Sequence, residues 1–154
     1  MSGMFDNAIW FNQPLNNWDV SSVINTSRMF NAALVFDQDI NSWNVSNVKD
    51  MSGMFCDAWY FDESLDNWDT SNVENMRQMF SSAKFFDQNI SSWDVSKVTD
   101  MTEMFNGAKY FKKILNKWNV KSLKKYDKVF EDTHLLENEK ELVLSEWTTK
   151  IAQK

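Results

Sequence analysis

The sequence contains few of the residues that break a chain or cross-link it. It has three glycines, one proline and one cysteine in 154 residues. The shortage of glycine and proline excludes a collagen-like chain and a flexible linker. Cys56 has no second cysteine to pair with, so the chain has no internal disulfide. No apolar run approaches the about 20 residues of a membrane-spanning helix, so the sequence predicts no membrane span in this chain.

The chain also lacks a basic surface over most of its length. Its net charge of -6 divides into -10 over residues 1–108 and +4 over residues 109–154. Because nucleic acid is bound through a track of Lys and Arg, the acidic body predicts that nucleic acid is not a partner. The first residues, MSGMFDNAIWF, have neither the basic start nor the apolar segment of a signal peptide. They indicate either an intracellular protein or a piece of a longer exported one.

The most prominent feature is a 25-residue repeat. Several residue types recur in columns at this spacing, which a chance arrangement would not produce. The pattern predicts a single domain over residues 1–154, with about five repeats in residues 1–133 and a degenerate C-terminal cap in residues 134–154. The two clearest columns are Trp18, Trp43, Trp68, Trp93 and Trp118, and Phe5, Phe30, Phe55, Phe80, Phe105 and Phe130.

Two periodicities meet within each repeat. Val98, Met101, Met104 and Ala108 follow the spacing of one helix face. Upstream, apolar and polar residues alternate as in a half-buried strand. The predicted strands are residues 17–20, 42–45, 67–70, 92–95 and 117–120, and the predicted helices are residues 23–33, 48–58, 73–83 and 98–108. Residues 142–151 echo the repeat, with Leu142 in the position of Trp118, and predict a last strand and helix over the final edge.

The repeat resembles a known family. FDQNISSWDVSKVTDMTEMF and FDQDINSWNVSNVKDMSGMF are similar to the repeats of BspA-family leucine-rich repeat surface proteins, which occur in mycoplasmas, other bacteria and some large viruses. The resemblance covers roughly residues 1–130. It implies an α/β fold: a right-handed leucine-rich-repeat solenoid with a parallel strand ladder on one face and short helices on the other. It also implies adhesion or host-interaction roles and a location at the cell surface or outside the cell, although a cytoplasmic location stays open without a signal peptide.

One set of polar residues is the predicted binding site. These residues alternate with the Trp and Val columns, so we expect them to line the open face of the predicted sheet. The alternative is a solubilising surface without a ligand. We call this set the polar face: Asn17, Asp19, Ser21, Ser42, Asn44, Ser46, Asn67, Asp69, Ser71, Ser92, Asp94, Ser96 and Asn119.

The remaining candidates for chemistry favour structure over catalysis. Asp69 and Asp94 would be neighbours, but such pairing follows from any repeat, and neither an enzyme site nor a metal site is predicted. A loop column is predicted to satisfy backbone groups, and it consists of Gln13, Gln38, Glu63 and Gln88 with Asn12, Asp37, Asp62 and Asp87 beside them. The aromatic residues Trp10, Tyr60 and Tyr110 fit either contact with a partner or packing between loops. No cofactor fingerprint occurs.

The sequence therefore predicts a protein-binding or adhesion module and not an enzyme. The expected partner is a protein, with host matrix and cell-surface proteins as the candidates. The alternative is a passive structural spacer with no ligand of its own.

Overall fold

Irregular turns and loops make up most of the structure. The computed structural model describes residues 1–153. Within that range there is one helix, α1 (Glu137–Ala152). Strand pairing there is limited to isolated parallel bridges, which join Asn25, Asp50, Asn75, Asp100 and Lys125 in series. The predicted α/β leucine-rich-repeat solenoid, with a strand ladder on one face and helices on the other, is therefore wrong.

The predicted helices fail because each contains two residues with left-handed backbone. In residues 98–108, Glu103 has φ 57° and Gly107 has φ 74°, values that a right-handed helix does not contain. The N–H of Met104 donates to the carbonyl of Met101, three residues back, at 3.1 Å. The apolar spacing thus reflects successive tight turns. In the other predicted helices the left-handed pairs are Arg28 and Ala32, Gly53 and Asp57, and Gln78 and Ser82.

The predicted strands are also absent. The prediction of which residues in these segments face the core and which face solvent is nevertheless correct for Trp93, Asp94 and Val95. The N–H of Trp93 donates to the carbonyl of Ile90 at 3.1 Å, and that of Val98 donates to Val95 at 3.0 Å. A turn therefore closes before and after this segment and interrupts any ladder. Trp93 and Val95 are buried while Ser92 and Asp94 are exposed, so the inside–outside alternation holds without a strand.

Backbone hydrogen bonds join consecutive repeats. We call residues 1–8, 26–33, 51–58, 76–83, 101–108 and 126–133 the ridges. In the first five ridges, alternate N–H groups donate to carbonyls 24 residues further on: Gly53 to Arg77 at 2.8 Å and Phe55 to Met79 at 2.9 Å, for example. The N–H groups between them close turns within their own ridge. The repeats therefore stack along the chain, and each ridge is bonded to the next.

Aromatic columns run through the centre of this stack. The ring of Phe55 lies 5.5 Å from Phe80 of the next repeat and 4.1 Å from Phe61 of its own repeat. Four indoles of the Trp column also reach back to the previous repeat: Trp68 Nε1 donates to the carbonyl of Ile40 at 3.1 Å, and Trp43, Trp93 and Trp118 make the equivalent bond. This bond satisfies the one polar atom of a buried indole, so the Trp column both packs and fixes the register between repeats.

Two positions with left-handed backbone, Gly53 and Ala32, predict opposite effects of substitution on the free energy of unfolding. Gly53 has φ 60° and Ala32 has φ 54°, a region that disfavours any residue with a Cβ. A Cβ at position 53 meets Arg28 Cγ at 3.4 Å, which is ordinary contact, so backbone strain dominates. We expect Gly53→Ala to lower the free energy of unfolding by roughly 0.5–1 kcal/mol and Ala32→Gly to raise it slightly. Urea denaturation measures both, and equal signs would contradict the assigned backbone.

Helix α1 replaces the predicted last strand and helix. Glu139 accepts a hydrogen bond from the N–H of Leu136 at 2.8 Å, which closes the start of the helix. Leu142, predicted to take the place of a repeat tryptophan, is 44% exposed, so that alignment is wrong. Trp147 takes the place instead: its Nε1 donates to the carbonyl of Leu115 at 3.0 Å, the same bond that the repeat tryptophans make.

Candidate binding face

The structure places every residue of the polar face at or near the surface. Four serines, one in each of the first four repeats, are half-buried, and the other nine residues are exposed. The exposed members are Asn17, Asp19, Ser42, Asn44, Asn67, Asp69, Ser92, Asp94 and Asn119, and the half-buried members are Ser21, Ser46, Ser71 and Ser96. The face therefore lies on a turn-rich surface of the stack, not on the predicted sheet.

A repeated turn fixes five of the seven Asp and Asn side chains of this face. Asp69 Oδ1 accepts the N–H of Ser71 at 3.0 Å, an arrangement that closes a local turn. The equivalent bonds join Asp19 with Ser21, Asn44 with Ser46, Asp94 with Ser96 and Asn119 with Lys121, at 2.9 to 3.5 Å. Each of these side chains thus has a structural role, and its orientation is set before any partner arrives.

Two carboxylates of the face, those of Asp19 and Asp69, are ionised at neutral pH. Hydrogen bonding by Ser71 lowers the pKa of Asp69, and hydrogen bonding by Ser21 lowers the pKa of Asp19, because both interactions favour the charged form. Lys97 also lowers the pKa of Asp69. The face therefore carries fixed negative charge among neutral amides and hydroxyls.

Three observations describe the side-chain groups that often serve metal binding or catalysis. Within residues 1–153, no cluster of three or more His, Cys, Asp or Glu side chains could hold a metal ion. His134 packs edge-on against Tyr110 at 5.1 Å. Burial, and then the charge of Asp57, raise the pKa of Cys56 to about 12, so this half-buried thiol is protonated at neutral pH and is a poor nucleophile.

The loop column has the structural role that the sequence predicts. Asp37 Oδ1 accepts the N–H of Asp62 at 3.0 Å, and Asp62 Oδ1 accepts the N–H of Asp87 at 2.8 Å. Asn12 and Asp87 make the same bond to Asp37 and Lys112. Each of these four side chains thus satisfies a backbone donor of the next repeat, which confirms the prediction for this half of the column.

Exposed aromatic rings form a row where consecutive loops pack together. Tyr60 stacks on Phe85 at 5.3 Å, and Phe85 stacks on Tyr110 at 5.1 Å. The N–H of Tyr60 also donates to the carbonyl of Leu34 in the preceding loop at 3.1 Å. The packing interpretation of Tyr60 and Tyr110 is therefore confirmed. Trp10 is 83% exposed.

Sequence reasoning missed one feature, a cleft of about 740 Å³ between the last ridge and α1. It is lined by residues 124–132 and by Glu137, Lys140, Glu141 and Leu144 of the helix. The available signal was the end of the repeat pattern after residue 133, which leaves the last ridge without a following ridge.

These observations define a class of protein: a stack of 25-residue repeats with an ordered polar face, in which a helix covers the last repeat. The family described as "Mycoplasma protein of unknown function, DUF285" matches residues 1–84 and 59–154, and the chain belongs to this family. No curated protein and no solved structure is detectably similar to the chain. In the part of the chain that the structure describes, no helix has the length and apolar character to cross a membrane.

Proposed function

We propose that this protein is a protein-binding or adhesion module that works at a cell surface and presents the polar face to a partner protein. The observation that carries the proposal is the regular array of exposed polar side chains, held by the same turn in five consecutive repeats. The resemblance of the repeats to BspA-type surface proteins supports the same role.

The order within the face supports binding in physical terms. A flexible polar side chain loses rotamer freedom when it contacts a partner, at a cost of about 0.5–1.5 kcal/mol for each chain immobilised. Five of the seven Asp and Asn side chains of this face are already bonded to their own turns, so part of that cost is met on folding. Their second carboxylate or amide atoms point outward as acceptors and donors at positions that repeat with the stack.

Three residues of the face allow a test that spares the turns. Asn17, Asn67 and Ser92 are exposed, and no hydrogen bond of their side chains occurs among the described residues. We expect the triple variant Asn17→Lys, Asn67→Lys, Ser92→Lys to fold normally and to bind at least about tenfold more weakly, because it adds three positive charges to the face. Binding is measured by surface plasmon resonance on a panel of purified extracellular-matrix and cell-surface proteins.

The matched control is Gln13→Lys with Glu146→Lys. It also raises the net charge by three, at exposed positions outside the face whose side chains make no hydrogen bond in the described structure. The control should bind like the wild type. Equal weakening in both variants would indicate a nonspecific charge effect. Failure of the wild type to bind any protein of the panel would favour a passive spacer. The hydrogen bonds that join consecutive repeats are compatible with that role as well.

A further inference from the structure

The last ridge carries a row of backbone donors that differs from every other ridge. In the first five ridges the N–H groups of alternate residues donate to carbonyls of the following repeat. The equivalent N–H groups of the last ridge have no acceptor among the described residues. They belong to Tyr126, Lys128, Phe130 and Asp132. By equivalence with the other ridges, they point to the position that a following ridge would occupy.

The cleft of about 740 Å³ lies at that position. Its walls are residues 124–132 on one side and the first half of α1 on the other. Helix α1 covers the aromatic core through Val143 and Trp147, both fully buried, but it leaves this edge open. An exposed edge of unpaired N–H groups beside an open groove is the arrangement to which an added peptide segment binds in many proteins.

The charges around the cleft favour neutral acceptors over an anion. Four lysines and five carboxylates line it, and the two signs nearly cancel. Two pairs also neutralise each other directly: Lys128 with Glu131 at 3.3 Å and Lys140 with Glu137 at 2.7 Å. A phosphate or nucleic acid would meet no net positive field. The carbonyl groups of a peptide main chain are neutral acceptors, so they can bind N–H groups without a positive field.

The neighbouring packing limits the side chains of such a peptide. In the stack, each ridge places its Phe on the Phe of the previous ridge, as Phe130 lies 5.7 Å from Phe105. The ring of Trp147 lies 5.6 Å from Phe130 and so occupies the place of the next Phe. A large apolar side chain therefore has no slot beside Phe130, and small or polar side chains fit best.

We propose that this cleft is a peptide-binding site, in which the N–H groups of Tyr126, Lys128, Phe130 and Asp132 bind main-chain carbonyls of an extended partner segment with small, uncharged side chains. An extended segment presents carbonyls to one side at alternate residues, and the free donors of the ridge likewise belong to alternate residues. Leu144 and Tyr126, both half-buried, supply apolar contact along the groove. The site is separate from the polar face, so it stands or falls independently of the proposed function.

The experiment is a titration of the ¹⁵N-labelled protein with the blocked peptide acetyl-(Thr-Ser)4-amide, followed by amide chemical shifts. We expect saturable shifts concentrated at residues 126, 128, 130 and 132. In the free protein these four amides should exchange with solvent far faster than the bonded amides of Met101, Glu103, Phe105 and Gly107. Slow exchange at the four amides, or peptide-induced shifts confined to other residues, would overturn the proposal.

Two helix variants and one anion complete the test. Leu144→Trp fills the groove and should weaken peptide binding at least about tenfold. Leu142→Trp places the same side chain on the same helix but outside the cleft lining and should leave binding unchanged. The wild-type titration does not depend on either variant. Inorganic phosphate should cause no shifts at the four amides, and phosphate shifts there without peptide shifts would replace the peptide site with an anion site.

Discussion

Trp68→Ala is expected to lower the free energy of unfolding by about 3–5 kcal/mol, the usual cost of truncating a large buried aromatic side chain. Trp68 is 4% exposed and stacks on Trp93 at 6.2 Å. Its Nε1 also donates to the carbonyl of Ile40 at 3.1 Å, and the substitution leaves that buried acceptor without its partner. The loss therefore combines a cavity with a broken contact between repeats. Urea denaturation followed by the fluorescence of the remaining tryptophans measures it.

Two further variants separate these causes. Trp10→Ala removes the same side chain at a position that is 83% exposed and should cost less than about 0.5 kcal/mol. Trp68→Phe keeps most of the ring packing but loses the bond to Ile40, so its cost should fall between the other two. A cost for Trp10→Ala comparable to that for Trp68→Ala would show that tryptophan content, and not its place in the column, determines stability.

The side of the chain on which each residue lies is predictable from the sequence, whereas the backbone conformation is not. Trp93 and Val95 are buried and Asp94 is exposed, because apolar transfer governs burial whatever the local structure is. The helix prediction for residues 98–108 fails since three tight turns also place apolar residues every three or four positions. Glu103 adopts φ 57° although glutamate does not favour that region, so its identity gives no warning.

The candidate site also has one part that the sequence predicts and one part that it does not. The polar face is visible in the sequence because its residues alternate with the core, but the bond from Ser71 to Asp69 depends on a turn that the strand prediction does not contain. The cleft beside α1 depends on the relative placement of Lys128 and Leu144, which lie in different elements. The residue pattern of the last ridge and that of α1 each predict local structure only, so neither predicts how the two lie relative to each other.

Trp147 is the largest buried side chain of helix α1, so the second large effect is expected for Trp147→Ala. Trp147 is fully buried, stacks on Trp118 at 6.0 Å and donates through Nε1 to the carbonyl of Leu115 at 3.0 Å. The only other buried residue of α1 is Val143.

An isolated 16-residue helix is marginal in water, so α1 should lose its structure when this anchor is removed, at a cost of about 3–5 kcal/mol. Hydrogen exchange measured by mass spectrometry should show loss of protection across residues 137–152, with the central repeats still protected. Leu142→Ala is the matched control, because Leu142 lies on the same helix but is 44% exposed and alanine preserves helix propensity. Retained protection of α1 in Trp147→Ala would mean that contacts other than the Trp147 anchor hold the helix.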